Sequence, residues 1–262
     1  MEIECSWFSA DKIHESGQCF RWEKTSDETY RVPAYGLVLE IRNQPEGILS
    51  LSCSESEYRE VWRDYLDMDF DYRAHAVKAC GLIGSDYLTN AAKASEGIRI
   101  LRQDLWETTV SFIISANNNI PRIRKILSAL CNGSPVFPTP EELYNMGIQK
   151  IRECGTGYRD KYLCKAAEFF LERDAERELC GLSYDEAKKY LRQITGVGPK
   201  VADCICLFAL GYKDAFPRDV WIKRIEAEHF GGRFPEEKSL GGAGVLQQYM
   251  FYYERSLNET LN

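Results

Sequence analysis

Thr195-Gly196-Val197-Gly198-Pro199-Lys200-Val201-Ala202-Asp203-Cys204, followed nineteen residues beyond its lysine by Asp219 in Phe216-Pro217-Arg218-Asp219-Val220-Trp221, decides how this chain reads. The two glycines lie between apolar-periodic runs at 183–194 and 200–210, and glycine reaches backbone dihedrals closed to other residues. They mark a tight hairpin joining two helices. Without side chains in the way, the backbone N–H groups of Gly196, Val197 and Gly198 can approach a phosphate closely. The segment reads as a clamp for a phosphate backbone.

Lys200 opens the second helical run. There the partial positive charge of a helix N-terminus favours the neutral amine, which has the lone pair that a nucleophile needs. A helix over 200–210 carries the chain roughly 16 Å away at about 1.5 Å per residue. Residues 211–218 can span up to about 26 Å when extended, enough to bring Asp219 back beside Lys200. Taken alone, Asp219 reads as the N-cap of a helix that Pro217 prevents from starting earlier, and Lys200 reads as a solvated charge. The combination points to a catalytic amine–carboxylate pair.

At 262 residues the chain is long enough for one large domain or two smaller ones. Its first residues are acidic rather than those of a secretory signal, and no apolar run approaches the roughly 20 residues needed to span a bilayer. An intracellular protein with no membrane partner is expected. The net charge of −7 is unusual for a phosphate binder. It leaves binding to a local basic patch and helix N-termini, with strong salt sensitivity. The ten cysteines are scattered among apolar neighbours, only Cys204 and Cys206 lie close together, and the three histidines are far apart. No metal site is expected, and most of the cysteines read as reduced, buried small residues.

Short alternating runs at 19–24, 30–32, 37–42 and 47–53, with breaks at 26–27, 34–36 and 43–45, predict a small antiparallel sheet. From Ser54 onward the period becomes helical. Segments 57–66 and 72–79 come first, then 105–116, 120–131, 140–145, 148–153, 161–174, 183–194, 200–210, 219–229 and 243–257. The expected fold class is α+β. An N-terminal antiparallel sheet domain with flanking helices (1–95) precedes a mainly helical domain (96–262).

These residues resemble the helix-hairpin-helix (HhH-GPD) DNA glycosylase superfamily, specifically the 8-oxoguanine DNA glycosylase/AP lyase family. Beyond the hairpin, the resemblance includes Ser16-Gly-Gln-Cys-Phe-Arg-Trp22, Leu101-Arg-Gln-Asp104 and Ser111-Phe-Ile-Ile-Ser-Ala-Asn-Asn-Asn-Ile-Pro-Arg122. It extends through Gly155-Thr-Gly-Tyr-Arg159 and Ala243-Gly-Val-Leu-Gln247. It implies a bifunctional enzyme that flips 8-oxoguanine out of duplex DNA, preferably opposite cytosine, and excises it through a Lys200 Schiff base. It then nicks the abasic strand by β-elimination, with Asp219 assisting the nucleophile and stabilising positive charge on the sugar.

The resemblance also implies that the Gly17 carbonyl accepts the N7–H that distinguishes 8-oxoguanine from guanine. Gln247 would read the Watson–Crick edge, although Gln248 beside it leaves this ambiguous by one position, and Phe251 and Cys204 would sandwich the base. Asn117 would occupy the space beside the orphaned partner base, Arg122 and Arg159 would read the opposite cytosine, and Tyr158 would wedge into the duplex. Gly17, Phe251, Cys204 and the asparagine run have plainer readings from the residues alone: a turn glycine, core, helix packing and a helix-terminal turn.

Two features qualify the resemblance. Trp221 stands where animal members usually have histidine, and the short loops suggest a bacterial or archaeal type. No cysteine follows Cys206, which excludes the C-terminal four-cysteine iron–sulfur loop of the endonuclease III class. No redox cofactor is expected; a structural monovalent or calcium ion on the hairpin carbonyls is compatible, and the chain is expected to be a monomer. An alkylated-base glycosylase of the same fold is disfavoured by Lys200. A non-catalytic hairpin module would give Lys200 and Asp219 no reason to converge.

Overall fold

The computed structural model describes residues 1–44 and 47–260. Pro45, in a predicted break, and residues 261–262, at the end of the expected second domain, lie outside the described residues. The N-terminal part is a five-stranded antiparallel sheet built from β1 (Glu2–Glu4), β2 (Glu23–Ser26), β3 (Thr29–Ala34), β4 (Leu37–Asn43) and β5 (Ile48–Leu51), in the order β1-β5-β4-β3-β2. Tyr30 pairs with Ile41 and Val32 with Leu39. All four are buried, together with Trp62 and Tyr65 of the helical segment 55–65. Period-two alternation thus places one face of the sheet on an apolar core.

The sequence expectation needs correcting at 19–24, where only Glu23 and Lys24 enter a strand. Residues 19–22 run between two cores. Cys19 and Trp22 are buried against the sheet, whereas Phe20 is buried among the helices. Side chains pointing into opposite cores reproduce the alternation of a strand without its ladder. Strand β1 and the helices Ala10–Glu15, Asp86–Ala94 and Ala175–Leu179 were not anticipated. Ser9, Ser85 and Asp174 cap these three helices by accepting backbone N–H bonds, a local signal the sequence did contain.

The remaining core is helical. The separate runs at 140–145 and 148–153 correspond to a helical stretch, Pro140–Ile151, that breaks at Gly147 (φ 76°, ψ 158°). The two apolar cores cut the chain differently from sequence order. Tyr72, Ala76, Ala79, Leu88, Ala91 and Ala92 pack with the helices that follow residue 105. The long C-terminal helix Ala243–Thr260 lies against Asp86–Ala94, and Ser95 Oγ donates to the Tyr249 carbonyl at 3.1 Å. Residues near the C-terminal end are thereby brought against residues 86–95. Among the described residues, no helix is long and apolar enough to cross a membrane.

Candidate active site

The helix Tyr184–Leu191 starts on a capping box between Ser183 and Glu186, and the hairpin follows it. Gly196 has φ +93°, and a Cβ there would lie 2.9 Å from Tyr162 Cβ. Only glycine fits. Val197 is buried, and its N–H donates to the Ile194 carbonyl at 3.0 Å, so this amide is spent inside the turn. Gly198 corrects the expectation that both glycines supply unusual dihedrals. Its φ is −83°, within reach of any residue, and it caps the helix Pro199–Phe208. A Cβ on Gly198 would meet no atom within 4 Å, so the missing side chain keeps space open above the helix start.

Lys200, in the first turn of that helix, and Asp219 line one pocket at the junction of the helices. The Lys200 Nζ stands 5.3 Å from the centre of the Phe112 ring, and its charge acts on the Cys204 thiol one turn along, opposing the rise that burial imposes on that thiol. Asp219 is also the N-cap of Val220–His229, its Oδ1 accepting from the Ile222 N–H at 2.9 Å. The capping reading of this residue therefore holds, and the same residue lines the pocket with Lys200. Burial raises its carboxyl above the ordinary aspartate range, opposed by the Ile222 N–H bond and the Lys200 charge. Arg218, paired with Glu226 at 3.1 Å and Glu236 at 2.5 Å, anchors the loop that returns Asp219 to the pocket. An amine and a partly desolvated carboxylate lining one pocket suit proton transfer and stabilisation of a nearby cation.

The same pocket gathers Gly17, Cys204, Gln247 and Phe251. Gly17 has φ +76°, and a Cβ there would press on Phe251 at 3.1 Å and Ile120 at 3.3 Å. Burial pushes the Cys204 thiol up to about 11, leaving it a neutral wall. Gln247 is 4% exposed, and its Oε1 has no hydrogen-bond partner. An unsatisfied buried acceptor costs about 1–3 kcal/mol, so a ligand donor is the natural complement. Gln248 also lines the pocket, but its Nε2 donates to the Ser16 carbonyl, so the two adjacent glutamines differ in hydrogen bonding.

Sequence reasoning missed Phe112, Phe208 and Pro217, which complete the inner wall. Phe112 and Phe208 stack at 5.4 Å and are buried, so nothing in their pattern distinguishes them from core. The outer part of the pocket, about 370 Å³, is bounded by Trp221, Asn118, Asn119 and Arg255. A larger cleft of about 620 Å³ opens between Tyr35–Gly36 and 170–176, but it contains neither lysine nor cysteine. Chemistry rather than volume locates the site.

The expected DNA-contact residues form one rim. Asn117 is exposed with φ +53°, Arg122 is exposed with Nη2 3.5 Å from the Gly155 carbonyl, and Tyr158 is 58% exposed. Arg159 differs. It is 3% exposed and donates to the carbonyls of Ala116 (3.2 Å), Asn117 (3.0 Å) and Thr156 (3.4 Å). Its guanidinium lies 4.4 Å from the Tyr158 ring centre. Here Arg159 braces the Asn117 turn. No group of His, Cys, Asp and Glu among the described residues could hold a metal ion.

Residues 2–109 match the model of the 8-oxoguanine DNA glycosylase N-terminal domain, and residues 110–239 match that of the HhH-GPD superfamily of base excision DNA repair proteins. An N-glycosylase/DNA lyase from Saccharomyces cerevisiae is 38% identical over 52% of this chain, a stretch spanning 42% of the yeast protein. The structure of MBOgg1 in complex with a low-affinity DNA ligand is 35% identical, with a TM-score of 0.90 over 98% of this chain and 96% of that one. The Clostridium acetobutylicum 8-oxoguanine glycosylase/lyase bound to duplex DNA with cytosine opposite 8-oxoguanine is 31% identical. Its TM-score is 0.86 over 97% of this chain and 93% of that one.

Proposed function

This chain belongs to the 8-oxoguanine DNA glycosylase/lyase family, and we propose that it excises 8-oxoguanine opposite cytosine through a Lys200 Schiff base and then cleaves the strand by β-elimination. The target nucleotide must leave the stack, at a cost of a few kcal/mol, before its sugar meets the amine. Lys200 attacks C1′ as the glycosidic bond breaks and the base departs. The resulting imine acidifies C2′, and loss of that proton expels the 3′-phosphate. Asp219 receives or holds the amine proton and offsets positive charge on the sugar.

The observation that carries this reading is the joint presence of Lys200, Asp219 and the unpaired Gln247 acceptor in one pocket. Gln247 reads the Watson–Crick edge of the flipped base, Gly17 accepts from N7–H, and Phe251 and Cys204 flank the ring. Asn117, Arg122 and Tyr158 meet the opposite strand, and Arg159 joins them if it exchanges its carbonyl partners for the cytosine. Gly196 and Gly198 carry the backbone clamp, since the Val197 N–H is already held by the Ile194 carbonyl. The cytosine preference is supported by the duplex bound to the Clostridium relative.

No redox cofactor enters the reaction. Residues 195–200 offer carbonyls and no carboxylate, a donor set better suited to a structural monovalent ion than to calcium. The reading also includes duplex DNA as partner, a monomeric state, and an intracellular bacterial or archaeal setting. Borohydride is expected to trap a covalent complex with an 8-oxoguanine duplex in the parent protein and none in Lys200→Gln. Equal trapping and cleavage by both would remove Lys200 from the chemistry.

A further inference from the structure

Gly17 lies in a loop whose neighbouring carbonyls are each held by a side chain from another element. The His14 carbonyl accepts from Arg124 Nη2 at 2.8 Å, and that of Glu15 from Arg255 Nη1 at 2.8 Å. The Ser16 carbonyl accepts from Gln248 Nε2, and that of Gln18 from Gln103 Nε2 at 2.9 Å. Gln18 is itself fully buried, its amide donating to Ser16 Oγ at 2.9 Å and the Arg99 carbonyl at 2.8 Å while accepting from the Leu101 N–H at 2.8 Å. Among the described residues, the Gly17 carbonyl receives no hydrogen bond. Gly17 also lines the pocket.

We propose that Gln248 is a positioning residue for base discrimination: by holding the Ser16 carbonyl, it fixes the peptide plane on the N-terminal side of Gly17, from which the Gly17 carbonyl of the next peptide is aimed at the base. Gln248 occupies the helix that also carries Gln247 and Phe251. One side chain therefore holds two recognition elements, about 230 residues apart in sequence, in a common frame. Guanine and 8-oxoguanine differ at N7 in whether a donor faces this carbonyl, so loss of aim weakens the contact to 8-oxoguanine and leaves other contacts intact. Preorganisation matters here because a carbonyl free to turn loses its advantage over solvent.

The inference rests on the reading of Gly17 as the N7–H acceptor. Its test measures dissociation constants in a Lys200→Gln background for three duplexes: 8-oxoguanine opposite cytosine, guanine opposite cytosine, and a tetrahydrofuran abasic analogue. Gln248→Met, which keeps the volume and removes the donor, is expected to lower the 8-oxoguanine-to-guanine preference about tenfold, the weight of one hydrogen bond. Affinity for the abasic duplex, which presents no base, stays within about twofold. Gln248→Glu, which sets a carboxylate against the Ser16 carbonyl, is a second variant and lowers the preference at least as much. A merely structural role would weaken all three duplexes together. An unchanged preference in either folded variant, or a parallel loss on the abasic duplex, overturns the positioning role. A parent with no preference overturns the Gly17 reading itself, whatever Gln248 does.

Discussion

Gly196 and Gly198 look interchangeable in sequence, yet the structure assigns them opposite sensitivities. Gly196→Ala forces a side chain to φ +93° and sets its Cβ 2.9 Å from Tyr162 Cβ, a branch point that cannot swing away like a side-chain tip. The left-handed conformation costs roughly 1–2 kcal/mol, and overpacking of this kind costs a comparable amount. A loss of about 2–4 kcal/mol follows, which lowers Tm by roughly 5–15 °C in a protein of this size. Gly198→Ala, at φ −83° with no atom within 4 Å of the new Cβ, has little to disturb. The poorer N-cap and the reduced entropy of the unfolded chain offset each other to within about 1 kcal/mol. Its methyl group instead stands where a phosphate would approach, so duplex affinity falls about fivefold, near one hydrogen bond. Thermal unfolding and fluorescence anisotropy at a single salt concentration measure both effects. Equal Tm losses in the two variants would refute the conformational argument, and unchanged affinity in Gly198→Ala would refute the clamp.

Two further outcomes are expected. Because burial raises the Asp219 carboxyl, its ionised form is lost on acidification earlier than for an exposed aspartate. Single-turnover excision should show an acid limb above about pH 4, which Asp219→Asn removes while slowing the reaction ~10²-fold or more; an intact limb in the variant would place the titrating group elsewhere. Glu107, paired with Arg21 at 2.6 Å, is pushed by burial from 4.5 up to about 7. With the folded value raised, its contribution to stability is full below pH 4.5 and is lost as pH rises through 7. Glu107→Gln is therefore expected to flatten the decline in urea midpoint between about pH 5 and 8, and identical slopes would clear Glu107 of this role.

Elements with strong local causes were legible from residues alone. The helices after Gly198 and Asp219 follow from a glycine or aspartate cap and apolar spacing, and the central strands follow from period-two alternation. The short helix Ala10–Glu15 escaped because a single serine cap before six residues is a weak signal. Residues 19–22 misled because a chain passing between two cores also alternates. At the site, the presence of Lys200 and Asp219 in one pocket was foreseeable because helix length and loop reach permit it. The difference in hydrogen bonding between Gln247 and Gln248 was not, since adjacent identical side chains differ only in what surrounds them.

Sequence by itself determined the α+β architecture, the hairpin, and the identity of an amine and a carboxylate able to meet, because dihedral demands, capping and hydrophobic period act over a few residues. Tertiary structure alone decided that Phe112, Phe208 and Pro217 complete the pocket wall, that Arg159 is spent on backbone carbonyls, and that Gly198 has ordinary dihedrals. Those outcomes depend on how helices distant in sequence pack, and on which polar atoms find partners once water has been displaced.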